Sequence, residues 1–289
     1  MDRRGLLQRL LASVLVSPHA MGGMAAHAAG NPVRRRLRFT LTFSNPLARP
    51  LENQRFWCYL PAEMSGMQRL VDVQVSVPHR RHEDALGHRI LELNFDELPP
   101  LARKIVTVRV EAELYGPSLS TTLLNSADWI QSERFIESDD PRMRARASEL
   151  RREQPLATAR AIYDWVRAHV GYAGYVAEDF GALYALLEGI GDCTEFANLV
   201  VALARADGLP ARMVGGYVVD RDSAPRPEEY HNWAEIYIDG AWRLVDAQKE
   251  NWLVPTDRYV AFRYYRDAAL NPVGFAHRYR IQGEMEVAF

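Results

Sequence analysis

Between residues 32 and 114 apolar side chains alternate with polar ones. Leu37, Phe39, Leu41 and Phe43 form one such series, Val71, Val73, Val75 and Val77 a second, and Val106, Val108, Val110, Ala112 and Leu114 a third. A period of two predicts half-buried strands, and shorter candidates lie over 56–60 and 90–95 with polar turns such as 84–87 between them. Several short strands of this kind predict an antiparallel sandwich with one wet face per sheet. From residue 140 the period changes. Asp140-Pro141 reads as the N-cap and first residue of a helix running to about Glu153. A second helix over 155–170 carries Leu156, Ala159, Ile162, Trp165, Val166 and Val170 as its apolar stripe, and a short third is expected over 182–187. Phe196, Leu199, Val200 and Leu203 mark a fourth, stopped by Gly208-Leu209-Pro210. A strand over 211–219 and a hairpin of 230–238 and 241–246 follow, the latter turned by Asp239-Gly240. The fold class expected is α+β: an antiparallel sandwich, then a unit in which a helix packs on an antiparallel sheet.

The fourth helix opens on Gly191-Asp192-Cys193-Thr194-Glu195. Asp192 fits an N-cap, and Glu195 three residues later completes a capping-box pattern. A free cysteine in an apolar helix is ordinarily a small core residue. At a helix start, however, the dipole and the first-turn amides favour a thiolate and can later hold an oxyanion. The hairpin supplies partners for such a thiol. With a two-residue turn Ile238 faces Ala241, so Trp233 lies opposite Asp246, and His231 shares that face one diagonal step away, about 7–8 Å at Cα. A three-residue turn would separate the two side chains onto opposite faces. A thiol, an imidazole and a carboxylate are the groups nucleophilic acyl transfer needs: the base takes the thiol proton and the carboxylate fixes its tautomer.

The run Gly191-Asp192-Cys193-Thr194-Glu195-Phe196-Ala197 resembles the bacterial transglutaminase-like superfamily. So do Leu203 to Arg212 with Val214-Gly215-Gly216-Tyr217, then His231-Asn232-Trp233-Ala234-Glu235, and then Trp242-Arg243-Leu244-Val245-Asp246-Ala247. The likeness covers roughly 155–262. It implies a papain-like core with Cys193 as nucleophile, His231 as general base and acid, and Asp246 as the orienting carboxylate. It also implies that an aromatic upstream of the nucleophile helps hold the oxyanion, for which Tyr172 is the candidate. Members include transglutaminases, peptide N-glycanases and bacterial peptidases. The expected activity is hydrolysis of peptide or isopeptide amides through a thioester. The alternatives are acyl transfer that crosslinks proteins or cell-wall peptides, and a non-catalytic binding or assembly role. No metal or organic cofactor is required, and no acidic loop resembles an EF-hand.

The N-terminus adds a location. Arg3, Arg4 and Arg9 precede a short apolar stretch, Leu10 to Val16, and an Ala26-His27-Ala28 cleavage pattern, while Arg3-Arg4-Gly5-Leu6-Leu7 is similar to a twin-arginine export signal. The expected organisation is an export signal over 1–28, a sandwich over 29–116 and a catalytic domain over 117–289, in a periplasmic or secreted protein. The apolar stretch is too short for a permanent membrane span. Of 289 residues 48% are hydrophobic and 25% charged, with a formal charge of −2. Removing 1–28 takes away three arginines and one aspartate and leaves 32 basic against 36 acidic residues, with no basic block of the kind nucleic acid requires. The partner expected is a protein or peptide substrate, such as a cell-wall peptide, and not nucleic acid.

Two cysteines exclude a disulfide framework or a cysteine-built zinc site. Cys58 is expected to be a packed core residue that leaves Cys193 unbridged. His79 and His82 read as part of a turn of mixed charges rather than as metal ligands, and His277 reads as structural. Tyr259, Phe262, Tyr264 and Tyr265 read as aromatic packing. The polar loop 220–229, directly before His231, is where substrate access would be shaped.

Overall fold

The computed structural model describes residues 31–116, 122–123, 125–175 and 178–289. The expected export segment, 1–28, lies outside the described residues. The chain is α+β, and its larger sheets are antiparallel. Strands β1 (Val33–Ser44), β2 (Leu51–Leu60), β3 (Gln68–Val75), β4 (Arg80–Glu83), β5 (Arg89–Leu98) and β6 (Arg103–Leu114) build most of a two-sheet sandwich. The alternating residues point inward as their period requires: Leu37, Leu41, Phe43, Val106, Val108 and Val110 share a core with Phe56, Leu91 and Leu93 of the facing sheet. The stretch read as a charged turn, 78–84, contains strand β4, which pairs with β5 through Arg80↔Glu92 to Glu83↔Arg89. Its charges suit an edge, where they discourage further pairing. His82 Nε2 lies 2.5 Å from Glu92 Oε2, while His79 Nδ1 is 3.2 Å from the Val77 carbonyl.

The helical region follows: α1 (Pro141–Leu150), α2 (Pro155–His169), β7 (Gly171–Tyr172), α3 (Ala182–Glu188), β8 (Ile190–Gly191) and α4 (Cys193–Ala206). Asp140 caps α1, its side chain accepting from the Arg142 amide, and the helix stops at Leu150, earlier than its arginine-rich sequence suggested. The apolar stripe of α4 is misleadingly narrow. The helix is buried on every side, packed by α1, α2 and α3 and by the sheet beneath it. Leu156, expected in the stripe of α2, is exposed.

That sheet comprises β9 (Ala211–Val218), β10 (Tyr230–Ile238), β11 (Ala241–Asp246), β12 (Asn251–Trp252) and β13 (Tyr259–Tyr264), in the order β12-β11-β10-β9-β13. One face, with Met213, Ala234, Ile236 and Val245, lies in the core of the α4 helix. The other, with Val214, Trp233, Trp242 and Leu244, packs on Ala62, Met64 and Met67 at the sandwich side. A polar seam crosses this junction: the Ala261 amide donates to Gln68 Oε1 at 2.8 Å and Gln68 Nε2 donates to the Ala261 carbonyl at 2.7 Å. His88, fully buried, extends it by accepting from the Tyr264 amide at 3.1 Å, with Asp84 Oδ2 at 2.7 Å on its other nitrogen. The loop 220–229 also reaches across, since Ser223 exchanges backbone hydrogen bonds with Arg36 and Arg38 of β1.

The last strands depart from the expected domain boundary. Residues to 289 were assigned to the catalytic domain, yet β14 (Tyr279–Gln282) pairs with β2 and β15 (Glu286–Ala288) pairs with β1. Both sandwich sheets had an edge with unpaired backbone groups, and the C-terminal segment covers them. Among the described residues no helix is long and apolar enough to cross a membrane.

Strand β9 approaches β13 closely where the β13 register shifts between Ala261 and Arg263, and a side-chain carbon added at Gly216 would lie 2.0 Å from the Val260 carbonyl oxygen. Backbone cannot yield there as a flexible side chain would. Gly216→Ala is therefore expected to destabilise the fold by about 1–3 kcal/mol, read as a lower urea midpoint with an unchanged slope.

Candidate active site

Cys193 is the first residue of α4, half-buried and unbridged, as is Cys58. The capping box is formed: Asp192 Oδ1 accepts from the Thr194 amide at 2.7 Å, and Glu195 Oε2 accepts from the Asp192 amide at 3.1 Å. Glu195 is fully buried and also accepts from the Phe180 amide at 3.0 Å, so the same carboxylate ties the loop before α3 to the first turn of α4. Gly191 is required for this fit, because a side-chain carbon there would lie 2.4 Å from Glu195 Cβ. Asp192 also takes the Glu195 amide, and among the first-turn amides the cap leaves that of Cys193. The supply of oxyanion donors at the helix start is thus narrower than the bare helix geometry implies.

The hairpin forms in the expected register, Ile238↔Ala241 through Ala234↔Val245, with Asp239 and Gly240 both at positive φ, as a two-residue turn of the primed type demands. Its parity brings His231 and Asp246 together: Nε2 of the imidazole lies 2.8 Å from Oδ2 of the carboxylate. The pair is dry. His231 is 4% exposed and Asp246 2%, and the Trp233 ring stacks alongside the imidazole with centroids 6.3 Å apart. With Nε2 on the carboxylate, Nδ1 is the nitrogen available for proton transfer.

Asn232 connects this pair to the thiol. Its side-chain amide donates to Thr194 Oγ1 at 3.0 Å, and its backbone N–H pulls the Cys193 thiol toward ionisation. The residue after His231 is therefore tied to the residue after Cys193. Cys193 and Asn232 line a cleft of 510 Å³ whose walls include Tyr175, Asp179, Glu228, Tyr230, His277 and Arg278.

The sequence reading missed two contributors. Tyr259, taken as packing, donates its hydroxyl to Asp246 Oδ2 at 2.9 Å and accepts from Asn251 Nδ2 at 2.7 Å. Burial, and then the Asp246 charge, push the Tyr259 hydroxyl up, which keeps it a donor. The Lys249 amide completes the set at Asp246 Oδ1, 3.0 Å away. His277, taken as structural, lines the cleft and holds Asp179 at 2.8 Å through Nε2, with the Tyr265 hydroxyl 2.5 Å from Nδ1. Periodicity could not reveal either: both depend on strands paired far along the chain. Tyr172, the oxyanion candidate, has its backbone paired with Gly191 and its ring 61% exposed, outside the cleft lining; Tyr175 is the upstream aromatic that lines it. In the loop 220–229, Pro227 and Glu228 reach the cleft, whereas Ser223 serves the sandwich contact.

The environment of the thiol departs from the helix-dipole expectation. Burial, and then the Asp192 carboxylate, push Cys193 up to about 12 from the usual 9.0, against the Asn232 amide, which pulls it down. Burial is the largest of these causes, and it favours the neutral thiol over the thiolate.

Residues 144–247 match the family model described as the transglutaminase-like superfamily. A search of curated proteins gives no significant match. Among solved structures, a Cytophaga hutchinsonii protein provisionally assigned as a cysteine protease is similar with a TM-score of 0.66 and 21% identity, over 90% of this chain and 89% of that one. The periplasmic domain of TgpA from Pseudomonas aeruginosa, bound to ethylmercury, gives a TM-score of 0.40 and 18% identity over 76% of this chain and 90% of that one. The first of these likenesses is one of fold and spans the sandwich as well as the core.

A raised thiol has a measurable sign. Between about pH 6 and 9 the thiolate fraction of Cys193 should climb about tenfold per unit, and the iodoacetamide alkylation rate mapped to Cys193 should climb with it. A rate that levels off near neutrality would show a thiolate–imidazolium pair instead.

Proposed function

From a chain whose core is transglutaminase-like, we propose a cysteine-dependent enzyme that acts on amide bonds, with Cys193 as nucleophile, His231 as base and acid, and Asp246 as the group that orients the imidazole. The observation that carries this reading is the buried His231–Asp246 hydrogen bond, placed one residue from Asn232, whose side chain donates to the residue after Cys193.

The chemistry follows from the groups present. His231 accepts the thiol proton as sulfur attacks the substrate carbonyl, which suits a thiol that burial holds neutral at rest. The Cys193 amide donates to the oxyanion. The imidazolium, steadied by Asp246, then protonates the leaving nitrogen, which departs as an amine and leaves a thioester. Water, deprotonated by the same imidazole, attacks the thioester and releases the acid and the free thiol. The cleft is roomy and partly lined by carboxylates and a guanidinium, which favours water as the acceptor and a peptide or isopeptide as substrate. Residues 1–28 support action outside the cytoplasm.

Cys193→Ala should abolish turnover of a peptide or isopeptide amide while the fold is kept. Asp246→Asn should retain the thiol but lose on the order of 10³–10⁴ in kcat, because an amide cannot hold the same tautomer. Tyr259→Phe should cost much less, on the order of threefold to tenfold, since two of the three donors to Asp246 remain. Incubating an amide substrate with a labelled primary amine separates water from amine as acceptor: product without label supports hydrolysis, and incorporated label would replace it with acyl transfer. Unchanged activity in Cys193→Ala would sink the assignment.

A further inference from the structure

A second cavity, of 40 Å³, lies where the sandwich meets the catalytic sheet. Leu41, Leu60 and Val108 line it from the sandwich, and Tyr217 and Phe262 from β9 and β13. Tyr230, His277 and Arg278 line both this cavity and the cleft that holds Cys193, while Phe39, Cys58, Tyr59 and Phe289 complete the cavity's own wall. The two spaces therefore adjoin. Tyr230 lies two residues before Asn232 on β10, about 7 Å along the strand, and Asn232 lines the cleft together with Cys193. An extended peptide advances about 3.5 Å per residue, so the hole lies within reach of a side chain close to the reacting carbonyl.

The hole is held open by its frame. Phe39, Tyr217 and Phe262 meet with ring centroids 5.4 to 5.9 Å apart, and the Tyr217 and Tyr230 rings meet edge-on at 5.5 Å. Rings locked against one another in this way cannot collapse into the gap as free aliphatic side chains would. The Tyr230 hydroxyl donates to the His277 carbonyl at 3.1 Å, and Arg278 donates to the Pro227 carbonyl at 3.0 Å, so the polar groups of the shared wall are engaged. The interior presented to a ligand is apolar. The space is small and apolar, which suits a compact aliphatic side chain better than an aromatic ring.

We infer that this cavity is a specificity pocket for the substrate, and that the peptide acted on presents a branched aliphatic side chain to it near the reacting carbonyl. The inference rests on the amide-acting reading above and adds to it the class of residue selected. It also gives the sandwich a part in the reaction, because half of the pocket wall comes from β1, β2 and β6.

Cys58 lines the pocket and offers the means to change its size. The experiment measures second-order labelling of Cys193 by tripeptide vinyl sulfones carrying glycine, leucine or phenylalanine in turn at each position near the reactive group. Iodoacetamide reports whether the thiol is accessible. In the unmodified protein, leucine at one position should label on the order of tenfold or more faster than glycine, with phenylalanine gaining nothing. Cys58→Phe plugs the hole and should bring the leucine-to-glycine ratio at that position near one, while Cys58→Ala widens it and should raise the phenylalanine probe. Should Cys58→Phe not fold, the Cys58→Ala arm carries the test. Equal rates for glycine and leucine at every position, or a leucine preference that survives the plug, would overturn the pocket and leave the amide-acting reading standing. Labelling by iodoacetamide with no labelling by any peptide would overturn that reading and the pocket with it.

Discussion

A carboxylate with 2% of its surface exposed is tolerable only if its oxygens accept hydrogen bonds from groups that are themselves fixed. Asp246 meets this condition with donors from three places: His231 on β10, Tyr259 on β13 and the Lys249 amide in the turn that follows it. Those donors lie in different parts of a five-stranded sheet, so satisfying one buried oxygen pair demands that β10, β11 and β13 keep their mutual positions. The bulge between Ala261 and Arg263 and the close approach at Gly216 belong to the same requirement, since both set where β13 lies against β9. The organisation of the sheet and the orientation of the imidazole are thus one constraint.

Burial that secures the imidazole works against the thiol. Burial raises Cys193 and also keeps the His231–Asp246 pair dry. A neutral thiol is less reactive toward stray electrophiles than a thiolate. In the proposed reaction the proton would leave at the moment of attack, which makes the tie from Asn232 on β10 to the first turn of α4 important.

The strands of the sandwich, the four helices and the hairpin were legible because each declares itself within about fifteen residues. Alternation gave β1 and β6, Asp140-Pro141 gave the start of α1, and the parity of a two-residue turn gave the His231–Asp246 contact. What escaped reading depends on distant pairing. Tyr259 looks like any aromatic in a strand until β13 is known to flank β9. His277 looks incidental until the tail is known to return beside the cleft. The charged run at 80–83 resembled a turn because an edge strand can carry charge on both faces. Leu156 resembled core because periodicity cannot tell which flank of a helix its neighbours leave uncovered. The elevated thiol was hidden for a related reason, since the dipole is a local feature and desolvation is set by everything packed around it.

The return of β14 and β15 to the sandwich makes the reactive core an insertion threaded through its scaffold. Ser44 pairs with Glu286, 242 positions later, so both sheets keep an open flank until β14 and β15 have been synthesised. Pairing over such a separation is entropically late, and an unpaired flank is adhesive in the meantime, which makes the order of folding a matter of cellular timing. His277 and Arg278 immediately precede β14, so fraying of that strand would also loosen the wall shared by the two cavities, joining the stability of the scaffold's seam to the shape in which a ligand is received.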